Sequence, residues 1–236
     1  MQRLLNTEHQ DLQRHSKKIA NFLALMLKLA MQNKFENKNI ILASQSPRRH
    51  SLIKKIVSDF DVVAPEFDEK LDSSNYSDDA IKSLSLQKAL SALNTYKESG
   101  AGICLYKNCF IISADTMVVL DKKIYGKPKD EADAFKMLKE LSAKTHFVVT
   151  AVSVVDADTK KSFTDVVKTY VTFQNLSDEL IESYVKTKHP LDKAGAYGIQ
   201  EMGSEFIKNV DGDLENVIGF PTKKVKELLI AAGYVF

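Results

Sequence analysis

The chain has 236 residues, 44% of them hydrophobic, which is enough to bury the core of one large or two small globular lobes. Its 33 basic and 31 acidic residues nearly balance, and the formal net charge of +2 argues against the broad positive field of a non-specific nucleic-acid-binding protein. The two cysteines, Cys104 and Cys109, are too few for a tetrahedral zinc site, and we predict that both are reduced and structural.

An apolar run from Ile19 to Met31 follows several basic residues near the N-terminus. The run is too short to span a bilayer, and no small-residue cleavage site ends it cleanly. We predict that residues 1–36 form an N-terminal helical extension, with an organelle-targeting segment as the alternative. A cytoplasmic protein without a membrane span is expected, its main domain covering residues 37–236.

Beyond Asn37, apolar strands alternate with amphipathic helices, which is typical of an α/β domain with a mixed central sheet flanked by helices. The pattern predicts strands at Ile40–Ala43, Phe60–Ala64, Phe110–Ile112 and Met117–Leu120, followed by a hairpin of Phe147–Val155 and Phe163–Phe173. Helices are predicted after Pro47, from Ser77, over Glu131–Leu141, near Asp178–Lys186 and from Pro221 to Ala232.

The first predicted strand runs into a helix start that carries two adjacent arginines. Ser46 is a favoured N-cap residue, and Pro47 suits the first helical position. Arg48 and Arg49 add planar donors that match phosphate oxygens, at a helix end that already favours negative charge. The pattern therefore predicts a bound phosphate.

Acidic residues follow two of the predicted strands. Asp115 ends the apolar strand Phe110–Ile112, where a carboxylate can hold a divalent cation or take a proton from water, although it can also merely cap a turn. Asp68 and Glu69 form an acidic pair, and taken alone such a pair is typical of solvated charges in a loop. If these groups converge near the two arginines, they form a site at which Mg²⁺ bridges carboxylates and a triphosphate.

Three further polar residues fit that scheme without proving it. Lys88 and Lys127 can each present an ammonium to a phosphate, although a solvated surface lysine is the default reading. Gln200 ends a glycine-containing segment that begins at Lys193, and its amide can read a base edge. His146 and His189 lack a catalytic partner in the sequence and are predicted to be structural.

With these motifs the chain resembles the Maf proteins, which are nucleoside triphosphate pyrophosphatases related in fold to the inosine triphosphate pyrophosphatases. The resemblance covers about Asn39 to Ala232 and implies two lobes with a cleft. It rests on eight ordered blocks: Leu42-Ala-Ser-Gln-Ser-Pro-Arg-Arg49, Asp68-Glu69, Lys88-Ala89, Ala114-Asp-Thr-Met-Val118, Gly126-Lys-Pro128, Leu141-Ser-Ala-Lys-Thr-His146, Asp192-Lys-Ala-Gly-Ala-Tyr-Gly-Ile-Gln200 and Asn216-Val-Ile-Gly-Phe-Pro221.

The resemblance also implies roles for individual residues. Asp115 takes the place of the catalytic aspartate, and Asp68 and Asp115 would hold a divalent cation, Mg²⁺ or Mn²⁺. The substrate-binding positions fall on Ser44, Ser46, Arg48, Arg49, Lys88, Thr116, Lys127 and Gln200.

Thr116 and Gln200 are similar to the branch that acts on dTTP and UTP. A 7-methyl-GTP pyrophosphatase and a non-catalytic nucleotide-sensing regulator of cell division are the alternatives. A homodimer is expected from the resemblance alone. Two residues depart from the family pattern: Ala143 stands where glycine is usual, and Phe220 where leucine is usual.

Overall fold

The computed structural model describes residues 40–66, 76–98 and 109–236, although the side chains of residues 96–98 are not described. The predicted N-terminal helix, Asp68, Glu69 and Cys104 lie outside these residues. Cys109 is buried directly before a strand. Within the described part of the chain, no helix is long and apolar enough to cross a membrane.

The described residues form an α/β fold with seven strands and six α-helices. The strands are β1 (Ile40–Leu42), β2 (Asp61–Val62), β3 (Phe110–Leu120), β4 (Lys123–Tyr125), β5 (Thr145–Asp156), β6 (Ser162–Phe173) and β7 (Ile207–Asp211). The helices are α1 (Pro47–Ile53), α2 (Asp78–Glu98), α3 (Glu131–Leu141), α4 (Asp178–Lys186), α5 (Leu214–Ile218) and α6 (Thr222–Ala231). Two 3₁₀ turns, His189–Asp192 and Ala194–Ala196, follow α4.

One mixed sheet joins the strands in the order β2-β1-β3-β5-β6-β7, with β4 paired to β3. β1 runs parallel to β2 and β3, whereas all other pairs are antiparallel. The sheet with its flanking helices confirms the predicted fold class.

The long, strongly patterned elements match their predictions. The helices over Glu131–Leu141 and Asp178–Lys186 have the predicted bounds, and β5 and β6 form the predicted hairpin. Pro221 is the N-cap of α6. The predicted strand Phe60–Ala64 shortens to β2, and β4, β7 and α5 were not predicted, because three to five residues carry little periodicity.

One prediction about β3 was wrong. Asp115 does not end a strand, because β3 continues without a break from Phe110 to Leu120 and pairs Asp115 with Ala151 of β5. The polar side chains of residues 113–116 resembled a break between two strands, but they form hydrogen bonds inside the fold instead. Ser113, for example, donates a hydrogen bond to the backbone oxygen of Ser85 at 2.6 Å.

Alternation along β3 sorts the core between the two faces of the sheet. On one face, the cluster around Ile112 and Ala114 packs against α1 and α6, and the cluster around Val118 and Leu120 packs against α3 and α4. Thr116 has the same parity and lies between these two clusters. The opposite face packs against α2.

The edge of β3 that pairs with both β1 and β4 has a gap beside Thr116. β1 pairs with β3 as far as Ile112, and β4 begins to pair at Val118. Among the described strands, residues 113–117 therefore have no ladder partner on that edge. The gap exposes both Asp115, which faces α2, and Thr116, which faces α1, to one opening.

Candidate active site

A cavity of about 560 Å³ opens at this gap. Its wall combines the loop between β1 and α1, the middle of β3, the turn after β4, the 3₁₀ turns after α4 and the end of α5. All the predicted substrate-binding residues and the predicted catalytic residue line it: Ser44, Ser46, Arg48, Arg49, Lys88, Asp115, Thr116, Lys127 and Gln200. The fold thus brings together side chains that are up to 156 positions apart in the chain.

Arg49 ties three elements together at the base of the cavity. Its Nε donates to the carbonyl oxygen of Gly219 at 2.9 Å, and its Nη2 donates to Thr116 Oγ1 at 3.1 Å. Its Nη1 reaches Ser44 Oγ at 3.4 Å. The guanidinium is therefore held in place before any ligand binds, which lowers the entropic cost of using it as an anion contact.

Ser44 organises the loop that precedes α1. Ser46 occupies the predicted N-cap position, yet its side chain makes no capping hydrogen bond, and its backbone N–H donates to Ser44 Oγ at 3.2 Å. The ring of His50 lies 2.6 Å from the carbonyl oxygen of Ser44. The loop is thus fixed from both sides, so that Arg48 and Arg49 start the helix at a defined place.

Arg48 pairs with a carboxylate across the cavity. Its Nη1 lies 2.9 Å from Asp192 Oδ2, and 27% of the Arg48 side chain remains exposed. Partial burial opposes the ionisation of Asp192, but hydrogen bonds from Lys193 and Arg48 outweigh it and lower the pKa of that carboxyl. Because the carboxylate of Asp192 is solvent-exposed, an incoming anion can replace it as the partner of Arg48.

Asp115 and Lys88 form a buried ion pair on the α2 side of the cavity. Lys88 Nζ donates to Asp115 Oδ1, and the two residues are only 6% and 8% exposed. The structure therefore decides between the readings of Lys88, which is not a solvated surface lysine. Asp115 does not cap a turn, and its carboxylate is oriented by an ammonium beside the cavity.

The donors of this wall fit a divalent cation of the magnesium type. Mg²⁺ is usually held by one or two carboxylates together with water and substrate phosphates. Asp115 supplies one carboxylate, and its Oδ2 accepts no hydrogen bond from the described residues. Those residues contain no cluster of three or more His, Cys, Asp or Glu side chains that would enclose a metal by itself, and the second predicted ligand, Asp68, is not among them.

Lys127 and Gln200 both line the wall of the cavity. Both residues are exposed and make no hydrogen bond or ion pair with the described residues, so their ammonium and amide are available to a ligand. Thr116 differs, because its hydroxyl lies between Arg49 and Thr150, 3.0 Å from Thr150 Oγ1. Its side chain is therefore part of the rigid base of the cavity.

Sequence reasoning missed several charged residues of the wall. Lys193 is 6% exposed and contacts both Asp192 and Glu201, and all three line the cavity. The segment that contains Lys193 stood out in the sequence only because small residues let its backbone approach a ligand. Its charged residues had no recognisable spacing, because their partners are set by two consecutive 3₁₀ turns.

The predicted structural role of His146 agrees with its surroundings. The side chain is buried, and its Nε2 lies 2.8 Å from the hydroxyl of Tyr197, a cavity-lining residue. Within the part of the chain that the structure describes, His146 Nδ1 has no hydrogen-bond partner. Burial lowers the pKa of His146 to about 4, so the ring is neutral at physiological pH.

Neither of the two residues that depart from the family pattern lines the cavity. Ala143 has a φ of 58° in the turn between α3 and β5, a conformation that glycine adopts more readily. Phe220 is completely buried in the cluster that packs α6 against the sheet.

Comparison of the sequence with known proteins identifies the family. The sequence profile described as "Maf-like protein" matches residues 39–232. A dTTP/UTP pyrophosphatase of Dictyoglomus turgidum is 43% identical over 84% of this chain and 97% of its own length. Similar proteins of the same name are 44% identical in Thermosipho africanus (83% of this chain, 94% of the relative) and 41% identical in Clostridium botulinum strain Eklund 17B (80% and 97%).

Among solved structures, the Staphylococcus aureus Ham1 protein aligns with 58% of this chain and 72% of its own, at 18% identity and a TM-score of 0.36. The family assignment does not depend on that alignment. The profile match and the sequence relatives establish that this chain belongs to the Maf family.

Proposed function

We propose that this protein is a nucleoside triphosphate pyrophosphatase that hydrolyses dTTP and UTP to the nucleoside monophosphate and pyrophosphate. The observation that carries the proposal is the convergence of the Asp115–Lys88 pair with Arg48 and Arg49 in one cavity. The names of relatives that are 41–44% identical over most of this chain support the substrate class.

In this proposal, Asp115 orients the attacking water and accepts its proton. The water oxygen bonds to the α-phosphorus, the bond between that phosphorus and the oxygen bridging to the β-phosphorus breaks, and pyrophosphate leaves with the electron pair. Lys88 keeps the Asp115 carboxylate in place through its hydrogen bond to Oδ1.

The cationic side chains stabilise the charge of the triphosphate. Arg48, Arg49 and Lys127 line the same cavity and can contact phosphate oxygens, and most of the catalytic effect would be positioning and electrostatics. Ser44 and Ser46 shape the loop that carries the arginines, and Gln200 presents its amide to the base.

We also propose a divalent cation, Mg²⁺ or Mn²⁺, at the open oxygen of Asp115. When bound, it would neutralise phosphate charge and make the attacking water more acidic. Asp68 is the proposed second ligand on the grounds of the resemblance alone.

The substitution Asp115→Asn tests the catalytic assignment. We expect kcat for pyrophosphate release from dTTP to fall at least about 100-fold, because an amide cannot accept the proton of the water. Asp121→Asn is the matched control, since it removes the same charge from an exposed turn outside the cavity and should leave kcat unchanged.

Circular dichroism should show that both variants are folded. An Asp115→Asn enzyme that is folded and retains the wild-type kcat would overturn the assignment of Asp115 as the catalytic residue.

A screen of pyrophosphate release over the common nucleoside triphosphates and 7-methyl-GTP, with and without Mg²⁺, separates the proposal from its alternatives. We expect the highest kcat/KM for dTTP and UTP and dependence on the metal. Preference for 7-methyl-GTP would favour the other branch, and binding without turnover would favour a nucleotide-sensing regulator.

The cellular location and the oligomeric state of the protein are also proposals. We propose a cytoplasmic location, which fits a role in clearing the nucleotide pool. The homodimer stays a prediction from the resemblance and can be measured by sedimentation.

A further inference from the structure

A tight turn presents the proposed base-reading residue to the cavity. The backbone N–H of Glu201 donates to the carbonyl oxygen of Gly198 at 3.0 Å, which closes a four-residue turn. Ile199 and Gln200 occupy its two central positions, and both line the cavity. The position of the Gln200 amide therefore depends on how this turn is held.

Both ends of the turn are anchored to one tyrosine. The N–H of Gly198 donates to the hydroxyl of Tyr184 at 3.1 Å, and that hydroxyl donates to Glu201 Oε2 at 3.2 Å. Tyr184 belongs to α4 and is buried. Burial, with the neighbouring carboxylate of Glu201, raises the pKa of Tyr184, so the hydroxyl keeps the proton that it donates.

Lys193 completes the anchor from inside the cavity wall. Its Nζ contacts the carbonyl oxygen of His189 at 2.5 Å, Asp192 Oδ1 at 2.7 Å and Glu201 Oε1 at 3.2 Å. Two of the three N–H donors of the ammonium are used by hydrogen bonds to His189 and Asp192, and the ion pair with Glu201 ties the lysine to the last residue of the turn. The ammonium of Lys193 thus lies among three protein oxygens, whereas Lys127 makes no hydrogen bond or ion pair with the described residues.

The stem of Lys193 also packs against the turn itself. A Cβ added to Gly198 would lie 2.6 Å from Lys193 Cε and 2.9 Å from Glu201 Oε2. The lysine thus touches the first residue of the turn through its methylenes and the last residue through its ammonium.

We propose that Lys193 is a positioning residue that fixes the Gly198–Glu201 turn and thereby determines how well the enzyme selects a pyrimidine base. The inference rests on the proposed function, because it takes Gln200 as the group that reads the base. Lys193 acts through Glu201 and the turn, whereas Asp115 and Lys88 act on the chemistry.

The test compares Lys193→Met with the wild type for pyrophosphate release from dTTP and GTP. Methionine keeps an unbranched stem of similar length but loses the three donors. We expect the KM for dTTP to rise about tenfold with kcat within threefold, and the preference for dTTP over GTP to fall by a similar factor. Lys186→Met, at an exposed position on α4, is the matched control and should leave both parameters unchanged.

A double-mutant cycle with Gln200→Ala identifies the route of the effect. If Lys193 acts through the turn, adding Lys193→Met to Gln200→Ala should change KM less than twofold. Additive effects on KM would overturn the proposal, as would a Lys193→Met enzyme whose kcat falls while its selectivity is unchanged.

A second variant keeps the inference testable if Lys193→Met does not fold. Glu201→Gln weakens the same anchor without burying an unpaired lysine, because Lys193 retains Asp192, and the same rise in KM and loss of selectivity are expected. Unchanged selectivity in that variant would contradict the proposal. A wild-type protein that releases pyrophosphate from no nucleotide would instead defeat the proposed function, and this inference with it.

Discussion

Ala143 holds a backbone conformation that costs a side-chain-bearing residue free energy. Its φ of 58° lies in the left-handed region, where a Cβ crowds the following carbonyl group, and its N–H donates to the carbonyl oxygen of Gln174 at 2.9 Å. The turn between α3 and β5 therefore retains the shape that glycine would give it. The departure from the family pattern at Ala143 is therefore expected to affect stability.

The substitution Ala143→Gly should raise the free energy of unfolding by about 0.5–1 kcal/mol, since relief of strain exceeds the added flexibility of the unfolded chain. Urea unfolding measures the change. Ala232→Gly provides a control of opposite sign, because Ala232 has a φ of −77° and glycine gains nothing there. Destabilisation by Ala143→Gly would contradict the strain argument.

His146 gives stability a dependence on pH. Its folded-state pKa of about 4 lies below the ordinary value of 6.5, so the unfolded chain binds the proton more tightly. The stability that this neutral ring provides is present above pH 6.5 and is lost as the pH falls toward 4.

We expect this group alone to remove roughly 2 kcal/mol of stability between pH 7 and pH 5. His146→Gln keeps a hydrogen-bonding group near Tyr197 but does not titrate, so its loss of stability over that interval should be smaller by this amount. Urea unfolding of both proteins at the two pH values measures the difference. Identical pH profiles would show that the ring does not titrate between these limits.

At the scale of residues, motif chemistry predicted much of the cavity wall. The arginines, Asp115 and Gln200 were found because each sits in a short block whose residue types suit phosphate, water or a base. Lys193, Asp192 and Glu201 were not found, because their pairing depends on turns that no local pattern announces. The burial of Lys88 against Asp115 could not be predicted either, because it depends on the packing of α2 against β3.

At the scale of elements, Gly195 connects the 3₁₀ turn Ala194–Ala196 to β3. It has a φ of 68°, and an added Cβ would lie 2.8 Å from Val118 Cγ2. Its N–H donates to the carbonyl oxygen of Gly126 in the turn after β4 at 2.9 Å. The close approach of these segments therefore requires a residue without a side chain.

Gly195→Ala should lower the free energy of unfolding by at least about 2 kcal/mol, through both backbone strain and overpacking. Gly126→Ala is the matched control, because an added Cβ there meets no atom within 4 Å and should change stability by less than about 0.5 kcal/mol. Thermal or urea unfolding compares the two. Equal effects would contradict the packing argument.

The elements were predictable where burial imposed a clear period. α3 and α4 are amphipathic over nine residues or more, and the β5–β6 hairpin combines two long apolar strands with a polar turn. β3 was divided in two because Ser113, Asp115 and Thr116 read as a loop. Side chains on α1, α2 and β5, together with the backbone oxygen of Ser85 on α2, form hydrogen bonds with those polar groups, and such tertiary contacts override the local pattern.

At the scale of the whole molecule, every described residue that lines the cavity lies between Ala43 and Gly219. The Maf profile covers residues 39–232, and alignment with 198 residues of this chain spans 97% of the Dictyoglomus turgidum relative. A chain of residues 39–236 should therefore retain kcat/KM for dTTP within about twofold of the full-length value. Steady-state pyrophosphate release measures this, and a loss of turnover would show that residues 1–38 contribute to the reaction.

The composition of the cavity wall has a consequence for charge balance. Its cations are Arg48, Arg49, Lys88, Lys127 and Lys193, and its anions are Asp115, Asp192 and Glu201. These described residues give the wall a formal charge of +2, the same as that of the whole chain. A nucleoside triphosphate brings about four negative charges at neutral pH, so roughly two remain to be compensated. One divalent cation that enters with the nucleotide would make the filled cavity nearly neutral. Once the monophosphate and pyrophosphate separate, this charge balance is lost, and we expect both products to leave the cavity.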